Sequence, residues 1–386
     1  MPSAIRRDTL LRLARRTLSC PTAPYHEGAV IAWLRAFAAE RPHLVLREDP
    51  DGNLELGRRG VRRGRSPLVL AAHMDHPGFR ARRSVASGAS HRVEAWFLGR
   101  VALAAFPGAR VRFFAGERSI AARVERVRGR RRGPYPSVEL CAAGPVPRGA
   151  FGTWDFPGFR RGRRDPDRID TRAADDLAGV AAILAVFDAV ERSEPRRRVD
   201  VRGLFTRGEE AGFAGALAVA RGRRLPRGAR LVSVEASKAL PQAPLGGGPI
   251  VRVGDATSVF DDALTRWIAG VASRLAGPRG ARFAWQRRLM DGGVCESTAY
   301  QAYGYRSAAV CLPLGNYHNM DARGRIAAEW IRLSDLVGLA RLLEGLVREG
   351  AAAPRGAAAD PLLRRFEGLR ARGRRELARD PGAPVG

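Results

Sequence analysis

Short apolar runs that break off at a charged residue constrain this chain more than any other feature. Residues 67–72, Pro-Leu-Val-Leu-Ala-Ala, are apolar throughout and run straight into His73. An uninterrupted run of that length reads as a strand buried on both faces. Further strand-like runs lie at 199–206, 230–234, 249–253 and 307–312. Helical stretches are expected between them at 177–190, 212–220, 261–275 and 294–302, with another at 333–347. Strands alternating with helices predict an α/β fold with a central, mostly parallel sheet and helices on both faces. Nearer the start, 5–19 and 27–39 carry apolar stripes at helical spacing. Residues 44–46 and 54–56 then flank the turn Asp49-Pro50-Asp51-Gly52-Asn53, a strand–turn–strand pattern.

That rhythm breaks between 80 and 165. Short β-like runs at 95–98, 109–114, 120–127 and 137–141 alternate with Gly, Pro and Arg turns, without a helical period. The expected division is a discontinuous α/β domain, 1–80 and 165–349, carrying an inserted β-barrel-like domain at 81–164. A tail rich in Arg, Ala, Gly and Pro follows at 350–386, with one helix expected near 361–378.

A chain of 386 residues with 45% hydrophobic content can bury a large core, and more than one domain is expected. The formal net charge of +28 resembles a nucleic-acid signal. Yet Lys238 is the only lysine, and the arginines are scattered through every segment instead of forming one stripe. A nucleic-acid footprint would cluster and carry a motif, so no dedicated nucleic-acid partner is expected. No apolar run approaches the roughly 20 residues of a membrane span. The first residues, Met1 to Asp8, lack the apolar core of a signal peptide, so a cytoplasmic protein is expected. Cys20, Cys141, Cys295 and Cys311 show no close metal-type spacing and read as free thiols.

The charges at the run ends share a chemistry. His73-Met74-Asp75, Asp175-Asp176, Glu209-Glu210, Glu235 and His318 all sit where a strand ends or a helix begins. Two histidines with several carboxylates suit a pair of divalent metals activating one water. Each segment alone has a plainer reading: a surface His-x-Asp pair, acidic helix capping at 175–176, a solvated loop at 209–210, a structural histidine at 318. Asp75 is placed to receive the second ring N–H of His73. Asp175 at a helix start can bridge two metals through its two oxygens, with Asp176 as the cap. One glutamate of the 209–210 pair can bind metal while the other reaches the water; Glu209 is taken as the base and Glu210 as the ligand. Three carboxylates and a hydroxide neutralise two divalent cations, as a partly buried site requires.

Taken in order, these segments resemble the dinuclear-metal aminopeptidase clan, nearest to the glutamyl and deblocking aminopeptidases that build tetrahedral shells. The matching stretches are 71–79 (Ala-Ala-His-Met-Asp-His-Pro-Gly-Phe), 172–180 (Arg-Ala-Ala-Asp-Asp-Leu-Ala-Gly-Val), 208–216 (Gly-Glu-Glu-Ala-Gly-Phe-Ala-Gly-Ala) and 248–252 (Gly-Pro-Ile-Val-Arg). The likeness covers about residues 10–345. It implies one metal on His73, Asp175 and Glu235, and another on Asp175, Glu210 and His318. It implies Asp75 as the group orienting His73 and Glu209 as the base. It also implies removal of N-terminal residues from peptides, usually with zinc or cobalt, and self-association through the β-insert; the carboxylate and imidazole ligands suit manganese as well. Some positions depart from the branch pattern: Glu235 where Asp is usual, the context Gly-Asn-Tyr-His-Asn-Met-Asp around His318, and Glu296 in a stretch that resembles Gly-Gly-Thr-Asp. These departures keep open a carboxypeptidase or N-acyl-amino-acid deacylase of a sister branch. A catalytically silent binding protein is the alternative from another class.

Overall fold

The computed structural model describes residues 3–129, 135–193, 199–277, 283–350 and 365–367. Helices α1 (Arg7–Leu18) and α2 (Gly28–Ala39) lead into the hairpin β1 (Leu44–Glu48) and β2 (Leu54–Arg58), then β3 (Leu68–His73). Asp49 closes the hairpin: its Oδ1 accepts the N–H groups of Asp51 and Asn53, each at 2.9 Å. The chain next forms β4 (Gly78–Ser87), β5 (Ser90–Leu98), β6 (Arg110–Ala115), β7 (Arg118–Arg128), β8 (Ser137–Ala142) and β9 (Phe151–Trp154). These close into a six-stranded barrel in the order β4-β5-β8-β7-β6-β9.

After β10 (Arg160–Arg161) and β11 (Arg168–Thr171) come α3 (Leu177–Ser193), β12 (Val201–Thr206), α4 (Ala214–Arg221) and β13 (Arg230–Lys238). The remaining elements are β14 (Ile250–Gly254), α5 (Asp262–Ala276), β15 (Gln286–Leu289), α6 (Glu296–Ala302), β16 (Arg306–Leu314), β17 (Glu329–Arg332) and α7 (Leu333–Arg348). The main sheet has eight strands in the order β1-β2-β12-β3-β13-β16-β14-β15. Its centre, β12-β3-β13-β16, is parallel, while β2 and β14 join it antiparallel.

The expected α/β architecture is therefore present, and β3 explains why its run had to be apolar throughout. Leu68, Leu70 and Ala72 pack into the large core with α1, α2, α3, α5 and α7. Val69 and Ala71, pointing to the other face, pack with α4 and α6. Alternate residues of a strand face opposite sides, so a sheet covered by helices on both sides must be apolar at every position.

The barrel begins at Gly78, earlier than the boundary expected at 81, and its last strand ends at Trp154. Residues 160–161 instead join β11 and β17 in a separate three-stranded sheet. The helix expected near 361–378 falls outside the described residues except for 365–367, which are helical. The four cysteines are free.

Candidate metal centre

Parallel strands β12, β3, β13 and β16 all deliver their carboxyl ends to one edge, where open α/β sheets place ligand sites. His73 is the last residue of β3, and β12 ends beside it, with Thr206 paired to His73. Asp175 sits just ahead of α3, and Glu210 lies between β12 and α4. Glu235 lies inside β13, which continues past the apolar run to Lys238 because its backbone stays paired with β16 up to Leu314. His318 occupies a turn after β16, with a left-handed backbone at φ 52°, ψ 36°.

The two imidazoles converge on Asp175 from opposite sides. His73 Nε2 stands 3.4 Å from Asp175 Oδ1 and 3.8 Å from Glu235 Oε2. His318 Nε2 stands 3.6 Å from Asp175 Oδ2 and 3.1 Å from Glu210 Oε1. The outer ring nitrogens face carbonyls: His73 Nδ1 is 3.1 Å from the Asp75 carbonyl oxygen, and His318 Nδ1 is 2.8 Å from that of Arg100. A carbonyl only accepts, so each Nδ1 carries the proton and each Nε2 turns inward. All five residues are buried or nearly so.

Asp75 faces His73 less closely than its expected part would have it. Its carboxylate oxygen lies 3.7 Å from His73 Nδ1, farther than its own backbone carbonyl. The carboxylate instead accepts the backbone N–H groups of Glu209 (2.9 Å) and Glu210 (3.0 Å). Two further side chains extend this grip. Glu27 Oε1 accepts the N–H of Gly208 at 3.0 Å, and Asn53 Oδ1 accepts that of Arg207 at 3.1 Å. Successive N–H groups from 207 to 210 are thus each held by a buried side chain. Gly208 turns here at φ 62°, and a Cβ on it would lie 2.7 Å from the Tyr25 ring. Asp176 caps α3, its Oδ1 accepting the N–H of Gly179 at 3.1 Å.

The electrostatics describe a site crowded with negative charge. Burial raises the Glu209 pKa well above the carboxylate range; His73 opposes this, while Glu210, Glu235 and Asp75 add to it. Burial likewise pushes Glu235 up to about 8, against the pull of His73. Burial would also raise Asp175, but hydrogen bonding and charge from His318 and His73 hold it below its ordinary value. Both imidazoles shift well upward although burial disfavours their charged form; Glu209, Asp175 and Asp75 drive His73, and Glu210 and Asp175 drive His318. Asp175 Oδ1 and Glu210 Oε1 are buried with an imidazole nitrogen facing each, at 3.4 and 3.1 Å, and no other hydrogen-bond partner among the described residues. Oxygen and imidazole donors of His73, Asp175 and Glu210 lie within 4.8 Å of one another. Hard oxygen and borderline nitrogen donors, with buried oxygens left over, fit divalent cations.

A cavity of about 530 Å³ opens onto this cluster. Phe213, Leu240, Met290 and Tyr317 give it apolar wall, and Arg100, Lys238 and Arg252 give it positive charge. Glu296 does not line it. That carboxylate is buried at the start of α6 and accepts the hydroxyls of Thr206 (2.5 Å) and Tyr300 (3.3 Å). Glu27, Asn53, His76, Asn319 and Glu329 escaped the sequence reading as parts of the site. The available signal was a lone acidic residue inside an otherwise apolar stretch, as at Ala327-Ala328-Glu329-Trp330-Ile331.

Comparison with known proteins bears on the fold. Solved structures with the same fold include an aminopeptidase from the archaeon Desulfurococcus kamchatkensis (TM-score 0.72, 19% identity, 89% of this chain and 95% of that one). The Pyrococcus horikoshii TET1 peptidase, described as assembling into a tetrahedron or a large octahedral shell, matches at TM-score 0.70 and 18% identity, over 88% of this chain and 99% of its own. A TET aminopeptidase from a marine sediment thaumarchaeote matches at TM-score 0.72 and 17% identity, over 88% and 96%. No curated protein matches the chain in sequence. The family model for M42 glutamyl aminopeptidases matches residues 158–328, the stretch that holds Asp175, Glu209, Glu210, Glu235 and His318. Over that segment, which is less than half of the chain, the sequence is similar to the M42 glutamyl aminopeptidases.

Proposed function

We propose that this chain is a dinuclear metal-dependent aminopeptidase. The observation that carries the reading is Asp175, whose two carboxylate oxygens face two different imidazoles, with Glu235 beside one and Glu210 beside the other. One cation would be held by His73, Asp175 and Glu235, the other by Asp175, Glu210 and His318. When bound, divalent metals supply Lewis acidity that polarises the scissile carbonyl and makes a water acidic enough to attack at neutral pH. Zinc fits this donor set, as do cobalt and manganese.

The chain's own residues supply the proton handling. Glu209 is the general base: it accepts a proton from the attacking water and delivers it to the departing amine. Asp75 and Glu27 fix the loop that carries it, so the carboxylate need not be ordered at the moment of reaction. The cavity admits the end of a peptide. Lys238 and Arg252 in its wall favour substrates with a carboxylate near the scissile bond. That same pair would suit the α-carboxylate of an N-acylated amino acid, which makes a deacylase the second reading. By the shells named for its structural neighbours, the chain is proposed to self-associate, with the barrel as the contact surface. Among the described residues no helix is long and apolar enough to cross a membrane, and a cytoplasmic site of action is proposed.

The test is metal content per chain, with chelation and add-back assayed on free and N-blocked peptides. Two metals per chain and restored cleavage of free N-termini are expected. Activity confined to blocked substrates would select the deacylase, and failure to take up any metal would overturn the proposal.

A further inference from the structure

Glu329 belongs to no proposed ligand set, yet it is fully buried and ties two of the proposed ligands together. It opens β17, paired with Thr171 at the end of β11, so its side chain reaches the segment leading to Asp175. Its Oε2 accepts the backbone N–H groups of Ala174 (2.7 Å) and Asp175 (3.2 Å). Its Oε1 accepts the backbone N–H of His318 at 2.9 Å. Three donors from two distant segments thus converge on one side chain. Only a carboxylate offers two acceptor oxygens for them; an amide offers one.

His76 makes a second tie between the same segments. Its Nδ1 lies 2.7 Å from the Asp175 carbonyl oxygen, and its Nε2 lies 2.9 Å from Asn319 Oδ1. The Asn319 amide is fixed in that orientation because its Nδ2 donates to the Arg172 carbonyl at 3.0 Å. Both ring nitrogens of His76 therefore face acceptors, and the ring stands 3.9 Å from Glu329 Oε1. The tie is needed because the His318 segment is held in an unfavourable shape. Asn316, His318 and Asn319 all adopt left-handed backbone at φ 56°, 52° and 61°. Non-glycine residues keep such angles only when their surroundings enforce them.

We propose that Glu329, with His76, is a positioning residue for one metal position in particular, the one bounded by Asp175, Glu210 and His318. This rests on the dinuclear reading above. Asp175 serves both positions, but the other ligands of the first, His73 and Glu235, lie on β3 and β13, whose backbones are secured by the sheet itself. The His318 position depends on a turn that the sheet does not reach. Losing the tie should therefore loosen the His318 position more than the other, which shares only Asp175 with it.

The test is zinc binding to parent, Glu329→Gln and His76→Gln, measured by titration calorimetry on chelator-stripped protein, with folding checked by circular dichroism and thermal unfolding. The parent should bind two zinc ions. Each variant should keep one zinc within about threefold of the parent and bind the other roughly 10–100-fold less well, the usual penalty for losing a group behind the ligands. If Glu329→Gln does not fold, His76→Gln decides. Folded variants that bind both ions as the parent does would overturn the inference alone. Equal weakening of both positions would overturn it too, since the effect would not be selective. A parent that takes up no second zinc would overturn the dinuclear reading and this inference with it.

Discussion

The barrel and the strand-end cluster bury their side chains by opposite means. The barrel interior is a set of aromatic rings meeting edge to face: Phe79 with Trp154 at 4.8 Å, Phe97 with Phe106 at 4.7 Å, Phe106 with Trp154 at 5.0 Å. Its charges stay on the outside, in exposed pairs such as Arg82 with Glu94. The strand-end cluster instead buries Asp75, Asp175, Glu209 and Glu235 around His73. Burying a carboxylate is expensive unless hydrogen bonds or a countercharge compensate it. Nearly every acid there is accordingly gripping a backbone N–H or facing an imidazole. Apolar packing gives shape without chemistry, whereas a buried carboxylate needs a specific partner and so fixes the position of a reacting group.

Four substitutions would break or sharpen that contrast. Glu209→Gln should have the largest effect, lowering kcat by roughly 10²–10⁴-fold while leaving metal content and folding unchanged. Full turnover in that variant would remove Glu209 as the base. Phe106→Ala in the barrel should lower unfolding free energy by about 3–5 kcal/mol in a denaturant titration. Metal affinity per folded chain should not move. If it does, the Arg100 carbonyl on His318 couples the two regions more tightly than their contrasting interiors suggest. Glu27→Gln leaves Gly208, Tyr25 and Arg207 to share one amide oxygen. It should weaken kcat by an amount equivalent to about 1–3 kcal/mol, with little change in KM, because the loop and not the substrate loses its hold. An unchanged kcat would show that Asp75 alone secures the loop. Lys238→Gln should be mildest, raising KM less than about tenfold for peptides with an acidic first residue and sparing neutral ones. Equal changes for both peptide types would exclude Lys238 from substrate selection.

The layers of the fold were legible because burial on two faces leaves a plain mark in sequence. The run at 68–72 cannot be anything but apolar if Leu70 and Ala71 face opposite cores. Strands that lie at edges or in the small sheet left no such mark. Gln286-Arg287-Arg288-Leu289 and Arg168-Ile169-Asp170-Thr171 are polar enough to read as loops, and only their pairing partners make them strands. Charges ending apolar runs pointed to His73, Asp175, Glu210, Glu235 and His318, which the fold brings together. Groups acting through backbone N–H were invisible, since Glu27 and Gly208 are far apart in sequence and nothing local announces their bond. Asp75 shows the limit of spacing arguments. Two residues from His73, it turns its carboxylate to a loop beyond residue 200.

The scatter of the cluster along the chain also dictates an order of events during synthesis and folding. Residues 73, 175, 210, 235 and 318 come together only after the parallel strands have found their partners and the whole barrel has been threaded between the first two. Contacts of such long sequence separation form late. A cation cannot nucleate this fold in the way a zinc ion folds a finger. On the dinuclear reading, the polypeptide would reach its native shape first and acquire its cations afterwards, so metal supply would set when a finished chain becomes active, and withdrawing the metal would leave a folded, rechargeable protein.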